Sequence, residues 1–277
     1  MAFMLRAASA ALFLIVSLEA AVAQPLASSA TTQGFHSRTR LISGGAQGDH
    51  WLAGIEISLD EGFKTYWRTP GDSGLPPRFD WTGSENVESA DIKWPAPARH
   101  EDAAGITYAY GKKVVLPVVV KAKDATRPVR LVLSAEYGIC KDICIPAQAN
   151  LSLDLSGAGA DRGAIETALA KVPVPQPLGA PAELSVLSVA PASSTPDKPA
   201  LSVTVRAPSG TVPALFAEGP ENWYLSTSKP DGDNRVTVTI EDKPRDASGP
   251  VPLRLTLVAG DKAVETEIGI DGSGRPR

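Results

Sequence analysis

Residues 129–155 read VRLVLSAEYGICKDICIPAQANLSLDL. Val129, Leu131 and Leu133 recur at every second position, and so do Leu151, Leu153 and Leu155 at the far end. Successive side chains leave a strand on opposite faces, so each run describes a half-buried strand. Between them YGICKDICIP, residues 137–146, holds both cysteines of the chain. Pro146 and the β-branched neighbours argue against a helical turn. The simplest placement is a tight hairpin with Lys141-Asp142-Ile143 as its loop and Cys140 facing Cys144 across it. Opposed residues of an antiparallel pair lie about 4.5–5.5 Å apart at Cα, within reach of a disulfide.

The same period of two runs outward through the chain. Ile55, Ile57 and Leu59 follow it, as do Leu201, Val203 and Val205, then Val236, Val238 and Ile240, then Leu253, Leu255 and Leu257. Glycine and proline number 24 each and punctuate these runs in GDSGLPP (71–77), KPDGDN (229–234) and RDASGP (245–250). Short strands separated by such turns make an all-β chain built of antiparallel sandwiches. One segment departs. In residues 161–172, Ile165, Ala168, Leu169 and Val172 stand at helical spacing, with Asp161 as N-cap and Pro173 as the stop. The alternating prolines of VPVPQPLGAP (172–181) keep the next stretch extended and stiff. The expected organisation is a β domain at 35–158, a helix and Pro-rich linker at 159–181, a second β domain at 182–271, and a disordered tail at 272–277.

The N-terminus sets the compartment. MAFMLRAASAALFLIVSLEAAVAQ has one early charge at Arg6, an apolar run from Ala11 to Val16, and small residues ending in Ala21-Val22-Ala23. That pattern predicts a secretory signal at 1–23, cut before Gln24. Ser17 and Glu19 interrupt the run too soon for a membrane anchor. Outside the cytoplasm, disulfides form and persist. A net charge of −4 with scattered Lys and Arg argues against nucleic acid or an anionic membrane surface as a partner. Both methionines, Met1 and Met4, lie in the signal, which removes the thioether ligands a copper(I) carrier uses.

On the residues alone, the cysteine pair has three readings. As a staple it closes a loop of about five residues, worth roughly 2 kcal/mol against about 4.7 for a 100-residue loop. As a metal clip it needs further ligands, and only His36, His50 and His100 stand beside the carboxylates, with no second close pair. As a redox pair it needs one accessible sulfur and a leaving thiol of suitable pKa. Lys141 favours the thiolate and Asp142 opposes it, so the neighbours do not rank the two thiols. The residues leave all three readings open.

A wider set of residues adds a resemblance. Trp94-Pro95-Ala96-Pro97, His100-Glu101-Asp102, Tyr110-Gly111-Lys112 and Leu116-Pro117-Val118 lead into YGICKDICIP. With TYWRTPGD (65–72) and PPRFDW (76–81), the set resembles the periplasmic N-terminal domain of the thiol:disulfide interchange protein DsbD, in its ScsB-like branch. It covers residues 35–158 well and the second β domain more loosely. The resemblance implies two immunoglobulin-like β-sandwich domains in the periplasm and a CxxxC pair, Cys140 and Cys144, working without cofactor or metal. It implies electrons from a membrane-embedded thiol carrier, supplied in trans because the chain ends after a polar tail. The clients would be periplasmic thioredoxin-like or disulfide-bearing proteins, making the chain a thiol-disulfide oxidoreductase component.

The family's cap loop over the cysteines corresponds to HEDAAGITYAYG (100–111), which lacks the family's phenylalanine next to Tyr-Gly. Tyr108, Ile106 or Ala109 is expected to take its place, beside Tyr110. Glu101 and Asp102 are proton-shuttle candidates, against the plainer reading of solvated loop charges. Lys141, Asp142 and Tyr137 lie near the site, Tyr137 as a groove or a core residue. Cys140 is slightly preferred as the attacking thiol. Trp67 and Trp81 are expected to pack, and Trp223-Tyr224 to form a core strand or a docking patch. The rival is a non-enzymatic secreted β-sandwich binding module with a structural disulfide or a metal site.

Overall fold

A computed structural model describes residues 28–102, 105–192, 198–247, 249–271 and 274–277. The expected signal at 1–23 lies outside them. The first strands are β1 (Thr32–Gly34), β2 (Ser37–Gln47), β3 (His50–Leu59), β4 (Lys64–Gly71), β5 (Arg78–Asp80) and β6 (Val87–Ile92). They are followed by β7 (Ala98–Asp102), β8 (Gly105–Gly111), β9 (Lys113–Ala122), β10 (Val129–Cys140) and β11 (Cys144–Leu155). They form two sheets, β1-β2-β3-β9-β6 and β11-β10-β4-β8-β7, with β5 added to β10. Leu41, Ile55 and Leu116 of the first sheet meet Trp67, Leu131 and Leu133 of the second in one core. The fold is all-β and immunoglobulin-like.

The strands β10 and β11 pair without a slip from Val129↔Leu155 to Cys140↔Cys144. Val129, Leu131, Leu133, Ala135 and Tyr137 are buried while Arg130, Ser134 and Glu136 are exposed, as the period of two requires. The alternation stops at Gly138-Ile139-Cys140, where both faces are buried. A Cβ on Gly138 would stand 2.8 Å from Leu75 Cβ and 3.1 Å from the Tyr66 ring, so only glycine admits that close approach.

The helix α1 (Arg162–Leu169) lays Ile165 and Ala168 against Ile42, Leu52 and Val115, on the outer face of the first sheet. Asp161 holds the N-cap position but makes no side-chain cap bond. Its carboxylate instead meets Arg40 at 3.5 Å, and its backbone N–H donates to Ser43 O. Nor is the following segment only a tether. Val174–Pro175, β12, pairs in parallel with residues 264–265.

The remaining strands are β13 (Ser185–Pro191), β14 (Ala200–Arg206), β15 (Ala214–Glu218), β16 (Tyr224–Thr227), β17 (Arg235–Asp242), β18 (Val251–Ala259) and β19 (Lys262–Ile270). They make the sheets β12-β19-β18-β15 and β13-β14-β17-β16 around a second core of Leu201, Val203, Val236, Val238, Leu253 and Leu255. Residues 274–277, expected to be disordered, turn back on β19. Ile270 bridges to Pro276, and Asp271 Oδ1 accepts the Arg275 N–H. Gly274, at φ +82°, supplies the left-handed turn that this needs.

The two pairs of sheets share a buried junction. Phe216 of β15 packs against Trp67 and Tyr108, with ring centroids 5.8 and 4.8 Å apart. Arg68 Nε and Nη2 donate to Glu218 at 2.9 and 2.7 Å, and Nη2 also reaches Glu265 at 2.7 Å. Among the described residues no helix is long and apolar enough to cross a membrane.

Candidate functional site: the cystine at the β10–β11 hairpin

Cys140 ends β10 and Cys144 begins β11, directly opposed with Cα atoms 4.2 Å apart and joined as a disulfide. Lys141, Asp142 and Ile143 form the loop between them, where the sequence pattern put it. The two cysteines differ in exposure. Cys140 lies inside the sheet, with Cys144 on one side and Lys64 of β4 on the other, and is 1 % exposed. Cys144 sits on the edge strand and is exposed. Position in the sheet therefore ranks the thiols where the flanking charges did not, and it opposes the preference for Cys140.

The residue that meets the Cys144 sulfur is Tyr66. Its ring clusters with Ala109 and Cys140, and its hydroxyl lies 3.0 Å from Cys144 Sγ. A disulfide sulfur carries no proton, so the hydroxyl donates. Burial, and secondarily the charge of Asp102, raises the phenol's pKa and keeps that proton in place. The loop 71–77 covers the ring from outside. A Cβ on Gly74 would stand 2.7 Å from the Tyr66 ring, and Leu75 lies over Gly138.

The other flank is aromatic. His36 stacks on Phe63 at 4.1 Å and Phe35 meets both edge-on, while the Lys141 ammonium stands 5.7 Å from the Phe63 centroid. His36 Nδ1 also meets Asp60 at 2.8 Å. Ile143, at the hairpin tip, is 74 % exposed.

The residues singled out in 100–111 are dispersed. They form the strands β7 and β8, and of the three expected to cover the cysteines Ala109 shares a buried cluster with Tyr66 and Cys140. Tyr108 is buried at the junction, with its hydroxyl 3.2 Å from Thr227 Oγ1 and burial raising its pKa. Tyr110 is buried and donates to Pro95 O at 2.7 Å. Ile106 exchanges backbone bonds with Asp72, through the Asp72 N–H and carboxylate. Glu101 pairs with Arg99 at 2.7 Å and with Lys229 at 2.9 Å; those two cations hold its pKa below the ordinary range. Asp102 stands 3.5 Å from Lys64 Nζ and within electrostatic range of Tyr66.

Tyr137 faces the core, its hydroxyl 2.6 Å from Thr39 Oγ1 and 3.3 Å from Ser37 Oγ. Asp142 and Lys141 are exposed on the loop. Trp67 is fully buried and Trp81 packs against the same core. Trp223 and Tyr224 part ways, the first buried in the second core and the second exposed. Among the described residues no three His, Cys, Asp or Glu side chains gather as a metal site.

Sequence reasoning passed over Tyr66, Lys64 and the Phe35–His36–Phe63 stack. One signal was present, since a glycine inside a strand, Gly138, marks close approach by another element.

The fold and site together define an immunoglobulin-like β-sandwich with a cystine at a hairpin tip, one cysteine buried and one exposed. Residues 37–156 match the family model of the thiol:disulfide interchange protein DsbD, N-terminal, and form a DsbD-like N-terminal domain. The N-terminal periplasmic domain of ScsB from Proteus mirabilis is similar in structure, at a TM-score of 0.67 and 23 % identity over 88 % of this chain and 98 % of that one. A conserved domain protein from Bacillus anthracis aligns over 90 % of each chain at 11 % identity, but its TM-score of 0.24 is too low to speak to the fold. No curated protein matches the sequence.

Proposed function

We propose that the chain is a periplasmic thiol-disulfide interchange protein. It passes reducing equivalents from a membrane-embedded thiol carrier to thioredoxin-like or disulfide-bearing client proteins. The observation that carries the reading is the unequal exposure of the two cysteines, with a phenol donor on the sulfur of the exposed one. An inert staple has no use for that arrangement. In the charging step a carrier thiolate attacks Cys144 Sγ, and Cys140 leaves as a thiolate and takes up a proton. A second carrier thiol, losing its proton, attacks the carrier sulfur of the mixed disulfide and frees Cys144. Two electrons have then entered the pair, and the carrier is left as a disulfide. In the discharging step the Cys144 thiolate attacks a client disulfide and expels one client thiolate. Cys140 resolves the mixed disulfide, expels the second, and restores the cystine.

Tyr66 serves both directions by donating to Cys144 while that sulfur is negative. Asp102, coupled to Tyr66 and Lys64, is the acid placed to influence proton movement there. The test is the reduction potential of the pair, with trapping by a Cys140→Ala variant. A potential above about −300 mV, with mixed disulfides formed through Cys144, supports exchange. A bond that resists reduction until the protein unfolds returns it to the role of a staple.

A further inference from the structure

The strand β4 carries the only described side-chain hydrogen bond to the cystine, and it also carries the main polar tie between the two pairs of sheets. The register of β4 on β8 shows why these are connected. Lys64, Thr65 and Tyr66 pair with Gly111, Tyr110 and Ala109 in turn; the next rung is Gly71 with Thr107. The chain advances five residues on β4 against two on β8, so Trp67 to Pro70 leave the ladder immediately after Tyr66. Backbone that leaves a ladder needs other contacts to fix its course.

Those contacts come from the C-terminal sheets. Arg68 is held by both oxygens of Glu218 and by Glu265, and Thr69 Oγ1 donates to Glu218 Oε1 at 2.7 Å. The guanidinium also stacks over Trp67, 4.5 Å from the ring centroid, while Phe216 packs against that ring. Burial works against the charge of Arg68, but Glu218 and Glu265 outweigh it and hold the guanidinium firmly ionised. The stretch that Arg68 anchors then runs into the loop that places Gly74 and Leu75 over Tyr66 and Gly138.

We infer that Arg68 is a positioning residue for the Cys140–Cys144 pair, through which the C-terminal sandwich holds the Tyr66 hydroxyl on Cys144. The inference rests on the exchange reading and deepens it. It gives the C-terminal half a task at the redox site that needs no contact with the sulfurs. Without the tie, residues 67–70 and the loop after them shift, and Tyr66 no longer stays within hydrogen-bond distance of Cys144. The reduced pair loses its phenol donor. Because the donor favours the reduced, negatively charged sulfur over the cystine, its loss makes the pair harder to reduce.

The experiment is a double-mutant cycle on the full chain, read as the equilibrium constant of the pair in glutathione buffers. Arg68→Ala and Tyr66→Phe are each expected to shift that constant about tenfold toward the disulfide, close to 30 mV. The double variant is expected to shift it no further, because both changes remove one interaction. Thermal unfolding of each variant checks that the fold survives. Should Arg68→Ala fail to fold, Glu265→Gln carries the same cycle with a smaller shift in the same direction, since it leaves Glu218 in place. Either an unchanged constant in the folded Arg68 or Glu265 variant, or a shift that adds in full to that of Tyr66→Phe, overturns the inference. A parent pair that resists reduction until unfolding overturns the exchange reading, and this inference with it. A parent that exchanges while the cycle fails leaves the exchange reading standing alone.

Discussion

The Tyr66 hydroxyl donates to Cys144 Sγ at 3.0 Å across 78 positions of chain, whereas Tyr137, three residues from Cys140, turns its hydroxyl into the core. Proximity along the chain and proximity to the sulfur are different things here. Hydrogen bonds to charged groups are worth about 1.5–3 kcal/mol, and part of that is lost when Tyr66→Phe leaves the Cys144 thiolate without its donor. The reduced variant should react with iodoacetamide at Cys144 about three- to tenfold more slowly at neutral pH, since alkylation follows the thiolate population, partly offset by nucleophilicity. Peptide mapping after limited alkylation reads this out. It should also find Cys144 modified well before Cys140 in the parent, as their burial requires. An unchanged rate at Cys144 would mean that the contact does not persist in the reduced protein.

Ile143 turns its side chain to solvent at the tip of the hairpin, beside the exposed Cys144. Such a residue contributes little to the fold, so Ile143→Ser should leave stability within about 0.5 kcal/mol. An apolar anchor at the centre of a docking contact is worth more, on the order of 1–2 kcal/mol. Reaction of the reduced variant with a folded thioredoxin-like disulfide should therefore slow about tenfold, while its rate with a small aromatic disulfide stays level. Equal slowing with both would place the effect in the chemistry and not in docking.

What the sequence displayed and what it hid follow from one physical distinction. Periodicity is local, so the alternation of 129–155 shows both strands and the hairpin between them. The helix at 162–169 likewise shows in Ile165 and Ala168, which find the outer face of a sheet. Contacts made by tertiary folding leave weaker traces. Nothing in TYWRTPGD says that Tyr66 meets a sulfur, or that Trp67 packs against Phe216 of a distant strand. Segment 100–111 corresponds to a cap loop by resemblance alone, yet its residues pair as β7 and β8. Asp161 has the right residue type for a cap, but Arg40 competes for its carboxylate. The tail looked unstructured from composition alone; its return to β19 rests on the bond from the Arg275 N–H to Asp271 Oδ1 and on the left-handed conformation of Gly274.

His100 gives the region a pH dependence of definite sign. Burial first, and then the positive charge of Lys64, lowers the imidazole pKa, with Asp102 opposing more weakly. The unfolded chain thus binds the proton at higher pH than the folded one does. The stability contributed by the neutral ring is complete above about pH 6.5 and is lost as pH falls through that value toward the lower folded pKa. Thermal unfolding between pH 7.5 and about 5 should show a steeper fall in Tm for the parent than for His100→Asn. Parallel curves would mean that the ring is not held neutral by its surroundings.

Gly138 is where the covering loop and the Tyr66 ring meet the cystine hairpin. An added methyl meets Leu75 Cβ at 2.8 Å and the Tyr66 ring at 3.1 Å, so both must give way. Overpacking of this kind costs about 1–3 kcal/mol, and urea unfolding of Gly138→Ala should show a loss in that range. The clashing atom distinguishes this from a general backbone effect. Leu75→Ala keeps Cβ and should leave the cost of the substitution in place, whereas Leu75→Gly removes Cβ and should relieve part of it. In a double-mutant cycle, the coupling of Gly138→Ala with Leu75→Gly should therefore be favourable by about 0.5–1.5 kcal/mol, and that with Leu75→Ala close to zero. Equal coupling in the two cycles would mean that the loop does not rest on the hairpin at this point, and the cover over Tyr66 would have to come from elsewhere.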